Sequence, residues 1–311
     1  MSAVGRRAVL CYLGCRLFQF RGLWVGPSRN GRAGNVRGWV GSARRMSLIA
    51  EPPEAYANGL NAACLLEARW NELIPAEQWT VFLSGTGAIE TAGVPFLLHG
   101  ALALATYTGH WRNTKDVDVV LRASDHERAI AALRDSGFED YFEREAYDRK
   151  WIFRAFKDGV LFDVIWALPN ERVEIDEHWF RRAQPLWLRG RVYASVPAEE
   201  LVRVKLYVMQ RERCDWVDVL NVLAAAVDRI DWTWLVERMG RDLPLLQGIL
   251  SVFNWMCPTR ASALPGWLRE RFALVPAESD NLAVVEVQRV RLFDSRPWFA
   301  LHQPLDRPLD R

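Results

Sequence analysis

The sequence has no run of about 20 consecutive apolar residues, the length that a membrane-spanning helix requires. Cysteine is also scarce. The five cysteines show no paired spacing of the kind that binds zinc or forms a disulfide framework. These absences predict a chain with no membrane partner. Free thiols are typical of a reducing compartment, so we expect a cytoplasmic protein.

Acidic residues are missing from residues 1–45, which contain nine arginines. Three origins fit this composition: an over-long reading frame whose true start is Met46, a transit peptide, or a secretory signal. A secretory signal fits less well because Arg16 and Arg21 interrupt its apolar region. The segment lacks a sustained apolar face, so we predict that residues 1–45 lie outside the folded core.

The remaining chain is acidic, because the whole sequence carries a net charge of only +2. Non-specific nucleic-acid affinity comes from cations that neutralise phosphates, so general nucleic-acid binding is not expected. At 311 residues and 50% hydrophobic composition, the chain is long enough to bury a substantial core.

Two carboxylates, Asp116 and Asp118, lie two positions apart in an apolar, β-branched run. Alternate side chains of a strand point to the same face, so this pair shares one face of the predicted strand. Two adjacent like charges in a buried strand need a cation, and Mg²⁺ binds through a few carboxylates. The alternative is that both residues cap a turn.

A third carboxylate, Asp163, lies at the centre of the apolar segment Val160–Trp166. The intervening chain is long enough for a helix and a returning strand, so the two acidic strands are predicted to be neighbours. Carboxylates on adjacent strands can hold two metal ions that clamp the attacking and leaving oxygens of a phosphoryl transfer. The alternative is an edge-strand acid that faces water.

A strand-to-helix turn precedes these acids. The apolar segment Val94–Leu98 leads into His99-Gly100-Ala101 and then into a predicted helix at Leu102–Thr108. Glycine lets a phosphate approach the backbone, and the free amides at a helix N-terminus attract anions. The basic, hydroxyl-bearing segment 112–115 then connects this helix to Asp116. Along the chain, the sequence thus predicts a phosphate-binding turn, then a cationic segment, then metal ligands. This order fits a binding site for a nucleoside triphosphate.

These residues resemble the signature of the nucleotidyltransferase superfamily that shares the DNA polymerase β catalytic core. Within it, the chain is most similar to minimal nucleotidyltransferases and AbiEii-type toxins. The resemblance covers residues 75–225 and rests on Gly100 with Ala103-Leu104, Arg112-x-Thr114-Lys115-Asp116-x-Asp118, Phe162-Asp163-Val164-Ile165, Pro197-x-Glu199-Glu200-Leu201-x-x-x-Lys205 and Arg211-x-Arg213-x-Asp215-x-x-Asp218. Ala101 departs from the pattern, since the family usually has glycine or serine there.

The resemblance implies an enzyme that transfers a nucleoside monophosphate from an NTP to an acceptor with the help of Mg²⁺ or Mn²⁺. Asp116 and Asp118 would hold both metal ions, and Asp163 would complete the second metal site. The implied nucleotide-binding residues are Gly100, Ala101, Arg112, Thr114, Lys115 and Lys205. The acceptor stays open between a small molecule, a tRNA end and a protein hydroxyl. The alternative function is a toxin–antitoxin or regulatory component that binds nucleotides with little turnover.

Several residues near these motifs have competing interpretations. Lys205 either reaches the triphosphate or is a solvated surface lysine. Asp215 and Asp218 have the spacing of helix-capping residues, with salt bridges to Arg211 or Arg213 favoured over metal binding. His99 and His110 flank the helix predicted at Leu102–Thr108, and we interpret both as packing or hydrogen-bonding residues.

The periodicity predicts an α+β fold in which a mixed sheet flanked by helices is followed by a C-terminal helical bundle. Helices are predicted at 55–70, 77–92, 124–134, 198–213, 215–226, 232–238 and 243–256, and further strands at 138–142, 150–156 and 192–196. We therefore predict a catalytic domain at 46–196, a helical domain at 197–275 and a largely disordered tail at 276–311.

Overall fold

The computed structural model describes residue 72 and residues 74–109, 116–211, 213–277 and 281–293. The strands are β1 (Leu97–Leu98), β2 (Asp116–Val120), β3 (Glu139–Asp140), β4 (Ile152–Lys157), β5 (Val160–Ile165), β6 (Gln184–Leu188) and β7 (Arg191–Ser195). The helices are α1 (Ala76–Thr91), α2 (Gly100–Thr108), α3 (His126–Asp135), α4 (Glu177–Arg181), α5 (Ala198–Leu206), α6 (Trp216–Ala226), α7 (Trp232–Met239), α8 (Leu243–Met256), α9 (Pro258–Ala261), α10 (Gly266–Arg271) and α11 (Leu282–Phe293). No helix within these described ranges is long and apolar enough to cross a membrane.

The seven strands form one mixed sheet in the order β3-β4-β5-β2-β1-β7-β6. The pairs β2–β5 and β1–β7 are parallel, and the other neighbouring pairs are antiparallel. The predicted α+β fold with a mixed sheet and following helices is confirmed. Since β5 lies between β4 and β2, the interpretation of Asp163 as an edge-strand acid is wrong.

A two-residue turn fixes the register of β4 against β5. Asp158 and Gly159 both have positive φ, 49° and 82°, which is the backbone that a tight hairpin of right-twisted strands needs. Lys157 pairs with Val160 on either side of this turn, and the same register places Arg154 opposite Asp163.

Two buried clusters cover the two faces of the sheet. Helices α1 and α3 pack on one face, against side chains that include Val119 and Phe162. Gly85 lets α1 approach closely, because a Cβ there would lie 2.4 Å from the Phe162 ring. The helix predicted at 77–92 is confirmed as α1, and Gly85 allows it to pack against β5.

The second cluster covers the opposite face with helices α5 to α8 and α10. It includes Val120, Ile152 and Ile165 of the sheet. One buried cluster thus combines residues from both sides of position 196, where the sequence predicts a domain boundary. That boundary stays a prediction.

Several predicted elements need correction. The helix predicted from residue 124 begins at His126 instead, with Asp125 as its N-cap, and Asp125 makes no side-chain cap hydrogen bond. Asp125 instead pairs with Arg128. Helix α5 ends at Leu206 and not at residue 213, because the chain reverses through a hydrogen bond from the Gln210 amide to the Arg213 carbonyl. The tail predicted to be disordered contains α11.

Candidate active site

The three predicted acids converge on one face of the sheet. Asp118 and Asp163 are register partners on the parallel strands β2 and β5, and Asp116 lies two positions before Asp118. Ligand oxygens from the three carboxylates all lie within 4.8 Å of one another. Opposite ligands of an octahedral Mg²⁺ ion are about 4.2 Å apart, so small side-chain movements would suffice to enclose one. The predicted convergence is confirmed, and the alternative of a capped turn is wrong.

The acids lie at the boundary between a covered and an open half of this face. Towards the C-terminal ends of the strands, Val120 and Ile165 are buried beneath the helices. Towards the N-terminal ends, Asp116, Leu161 and the β4 residue Phe156 are only partly buried. Reactants can therefore approach the carboxylates across the open half of the sheet.

Burial and like charge act together on Asp118. Burial raises the pKa of Asp118 from its ordinary 3.8 to about 8, and the neighbouring charges of Asp116 and Asp163 contribute to the increase. Burial also raises the pKa of Asp163, although hydrogen bonds from Arg154 oppose this. A cluster that resists ionisation without a counter-ion suits a divalent cation, which binds carboxylates in their charged form.

This shift gives a stability prediction for protein freed of metal with a chelator. The unfolded chain loses the Asp118 proton above pH 3.8, whereas the folded chain keeps it until about pH 8. The free energy of unfolding should therefore fall as the pH rises between these values. Asn resembles the protonated form, so the advantage of Asp118→Asn over wild type should grow from pH 5 to pH 8.5 in urea unfolding. An advantage that is equal at both pH values would contradict the prediction. Asp158→Asn, in the exposed β4–β5 turn, is the control.

The turn before α2 lies directly against the acids. Helix α2 begins at Gly100, two residues before the predicted start at Leu102, with His99 as its N-cap. The His99 amide donates a 3.0 Å hydrogen bond to the Asp118 carbonyl, which joins the turn to β2. Ala101 follows as the second residue of the helix, where backbone amides have no intrahelical partner. The helix N-terminus and the carboxylates thus form one site.

Position 100 requires glycine for a structural reason that the sequence did not reveal. Its φ is +56°, and a Cβ there would lie 1.8 Å from Asp118 Oδ2. Gly100→Ala should therefore displace the Asp118 carboxylate as well as strain the backbone. We expect a loss of unfolding free energy about 1–3 kcal/mol greater than for Gly93→Ala, a position with φ of +67° and an open space for a Cβ. Equal losses in urea unfolding would contradict the predicted collision.

Lys205 is buried and makes two ion pairs, so the interpretation as a solvated surface lysine is wrong. Its Nζ donates to Asp215 Oδ2 at 2.9 Å and to Asp218 Oδ2 at 2.7 Å. Arg213 binds Asp215 through Nε and Nη2, as the sequence predicts for this salt bridge. Burial would raise the pKa of Asp215, but the hydrogen bonds from Arg213 and the charge of Lys205 outweigh it and lower the pKa. Asp215 is the N-cap of α6, although its side chain makes no cap hydrogen bond.

His99 is electrically neutral beside this network. Its burial, followed by the nearby Lys205 charge, lowers the pKa of His99 to about 3. Its Nε2 is buried and has no hydrogen-bond partner in the described part of the chain. The nucleotide-binding residues predicted at Arg112, Thr114 and Lys115 lie outside the described residues, as does His110.

Sequence reasoning missed one charged residue of the site. Arg154 on β4 binds Asp163 through two hydrogen bonds, Nε to Oδ1 at 3.0 Å and Nη2 to Oδ2 at 2.8 Å. The signal was present in the sequence: a two-residue Asp-Gly hairpin turn at Asp158 and Gly159 places Arg154 opposite Asp163.

The sequence matches a known family over most of its length. The family described as "Uncharacterised nucleotidyltransferase" matches residues 39–255, more than half of the chain. The chain belongs to this family. It is therefore a nucleotidyltransferase, an enzyme of nucleotide transfer from NTPs, as the resemblance predicted. The finer resemblance to AbiEii-type toxins stays a prediction. No curated protein sequence matches the chain.

Solved structures of other nucleotidyltransferases are remotely similar to this member of the family. Lincomycin-bound lincosamide antibiotic adenylyltransferase LnuA is 15% identical, with 48% of this chain and 96% of that chain covered at a TM-score of 0.35. Antibiotic-resistance factor ANT(2'')-Ia is 18% identical. The match covers 63% of this chain and 93% of that chain at a TM-score of 0.34. An antigenic nucleotidyltransferase-like protein from Paracoccidioides brasiliensis is 17% identical. The match covers 61% of this chain and 93% of that chain at a TM-score of 0.40. All three TM-scores are below 0.5, so the family match carries the assignment.

Proposed function

We propose that this nucleotidyltransferase is metal-dependent and template-independent, and that Asp116, Asp118 and Asp163 hold Mg²⁺ or Mn²⁺. The observation that carries the proposal is the convergence of these three carboxylates within 4.8 Å, beside the N-terminus of α2. The donor set fits the metal: three carboxylates, with positions left for water and phosphate oxygens, are what Mg²⁺ prefers.

The residues divide between two sides of the acidic cluster. The Gly100–Ala101 turn lies on the Asp118 side, where backbone amides and the helix dipole favour the β- and γ-phosphates. Lys205 lies on this side as well, and its charge contributes to the electrostatics of Asp118 and His99. Asp163 and Arg154 lie on the other side, so we assign that side to the acceptor.

In the proposed reaction, the acceptor oxygen forms a bond to the α-phosphorus of the NTP. The bond from that phosphorus to the bridging oxygen breaks, and pyrophosphate leaves with the electron pair. Asp163 accepts the proton of the acceptor hydroxyl, which its raised pKa favours. When bound, the divalent ions supply charge neutralisation to the phosphates and to the attacking oxygen.

Calorimetry with a non-hydrolysable NTP analogue tests the metal dependence. We expect wild-type affinity to increase with Mn²⁺, and we expect Asp116→Ala to remove that increase while leaving the circular dichroism spectrum unchanged. Asp158→Asn, which removes an exposed carboxylate on the adjacent hairpin, is the control. Equal nucleotide affinity with and without Mn²⁺ would refute the proposal. Metal-dependent binding without release of pyrophosphate from NTPs would instead favour the regulatory or toxin–antitoxin alternative.

A further inference from the structure

Among the described residues, Arg154 is the cation that binds the acceptor-side carboxylate, Asp163. Its two hydrogen bonds use both oxygens of Asp163, and the Asp163 side chain is only 4% exposed. Each Asp163 oxygen thus already has a charged donor. A metal ion that approached Asp163 would have to share its oxygens with a guanidinium group, and like charges at this distance repel.

A hydrogen-bond chain fixes the backbone of Arg154. Strand β3 ends its pairing with β4 at Asp140, one position short of Arg154. The Arg154 amide instead donates to Tyr147 Oη at 3.0 Å, and Tyr147 Oη donates to Asp140 Oδ1 at 2.9 Å. Asp140 is held in turn by Arg149 at 2.7 Å. These hydrogen bonds hold the Arg154 backbone in place, and this fixes the point from which its guanidinium group reaches Asp163.

The charge balance of the site points the same way. Lys205 and Arg213 are matched by Asp215 and Asp218, so that network adds little net charge. Among the described residues, Arg154 offsets one of the negative charges of the site carboxylates, that of Asp163.

We infer that Arg154 is a positioning residue that reserves Asp163 for the acceptor side, so that the nucleotide-free enzyme binds one divalent ion through Asp116 and Asp118. This inference rests on the proposed function, since it concerns the same metal site. Asp163 then becomes available to a second ion only when bound nucleotide adds negative charge. Tyr147 supports Arg154 and acts through it.

Mn²⁺ titration of nucleotide-free protein, followed by electron paramagnetic resonance of the unbound ion, tests the inference. We expect wild type to bind one Mn²⁺ per chain. Asp116→Asn should weaken this binding by about tenfold or more, whereas Asp163→Asn should change it by less than about threefold. Arg154→Gln should tighten Mn²⁺ binding about tenfold or add a second ion. Tyr147→Phe should shift binding in the same direction by a smaller factor.

The control variant is Arg144→Gln, an exposed arginine that pairs with Glu139 on the same edge of the sheet. It should leave Mn²⁺ binding unchanged. Equal weakening by Asp163→Asn and Asp116→Asn, or unchanged binding in Arg154→Gln, would overturn the inference while leaving the proposed function intact. If Arg154→Gln does not fold, Asp163→Asn still decides the question. Absence of Mn²⁺ binding to wild type, with and without nucleotide, would refute the proposed function itself.

Discussion

Replacing Asp118 with asparagine is expected to reduce nucleotide transfer on the order of a thousandfold, because the change removes a charge at the centre of the proposed metal site. A carboxylate oxygen of Asp118 lies within 4.8 Å of carboxylate oxygens from Asp116 on its own strand and from Asp163 on the next. Asparagine keeps the shape and a neutral oxygen, so the fold should survive. The measurement is transfer of label from each α-³²P-labelled NTP to components of a cell lysate in the presence of Mg²⁺.

Asp158→Asn is the matched control, since it makes the same chemical change at an exposed turn. The control should retain wild-type transfer, and Asp118→Asn should unfold at an equal or higher urea concentration than wild type. Retention of more than about a tenth of wild-type transfer by Asp118→Asn would exclude a central metal-binding role for this carboxylate.

Replacing Lys205 with methionine is expected to lower the free energy of unfolding by about 3–5 kcal/mol. Methionine has a similar length, so the main change is the loss of the ammonium group between Asp215 and Asp218. Breaking a buried ion pair by removing one partner leaves uncompensated charge in a low-dielectric environment. Urea unfolding at neutral pH measures the effect.

A second substitution separates this charge effect from a packing defect. Asp218→Asn should recover part of the stability that Lys205→Met loses, because it removes one of the two carboxylate charges that Lys205 balances in the wild-type protein. Lys157→Met is the control. Lys157 donates hydrogen bonds to the Ser84 hydroxyl and to the Ser136 carbonyl, and neither of these acceptors is a carboxylate. Failure of Asp218→Asn to recover any stability would contradict the account of Lys205 as a buried counter-ion.

The sequence was sufficient to predict the convergence of the acids. Alternation along a strand places Asp116 and Asp118 on one face, and the apolar character of both strands indicated that they belong to the interior of a sheet. Parallel pairing then brings Asp163 beside Asp118. These relations depend on local periodicity, which is the strongest signal in a single sequence.

Other features depend on contacts between distant segments, which periodicity does not record. The apolar and charged pattern after Pro197 continues beyond Leu206, but the ion pairs of Lys205 with Asp215 and Asp218 require the chain to turn back. Gly100 is compatible with a phosphate turn in the sequence, and only the structure reveals its close approach to Asp118. Strand β6 and helix α4 were not predicted from the sequence either.

The most direct test of the account is a crystal structure with Mn²⁺ and a non-hydrolysable NTP analogue, in which anomalous scattering locates the metal. The account predicts an anomalous peak within about 2.0–2.4 Å of oxygens from Asp116 and Asp118, with the triphosphate at the N-terminus of α2. A nucleotide bound elsewhere on the sheet, or Mn²⁺ bound away from these carboxylates, would contradict it.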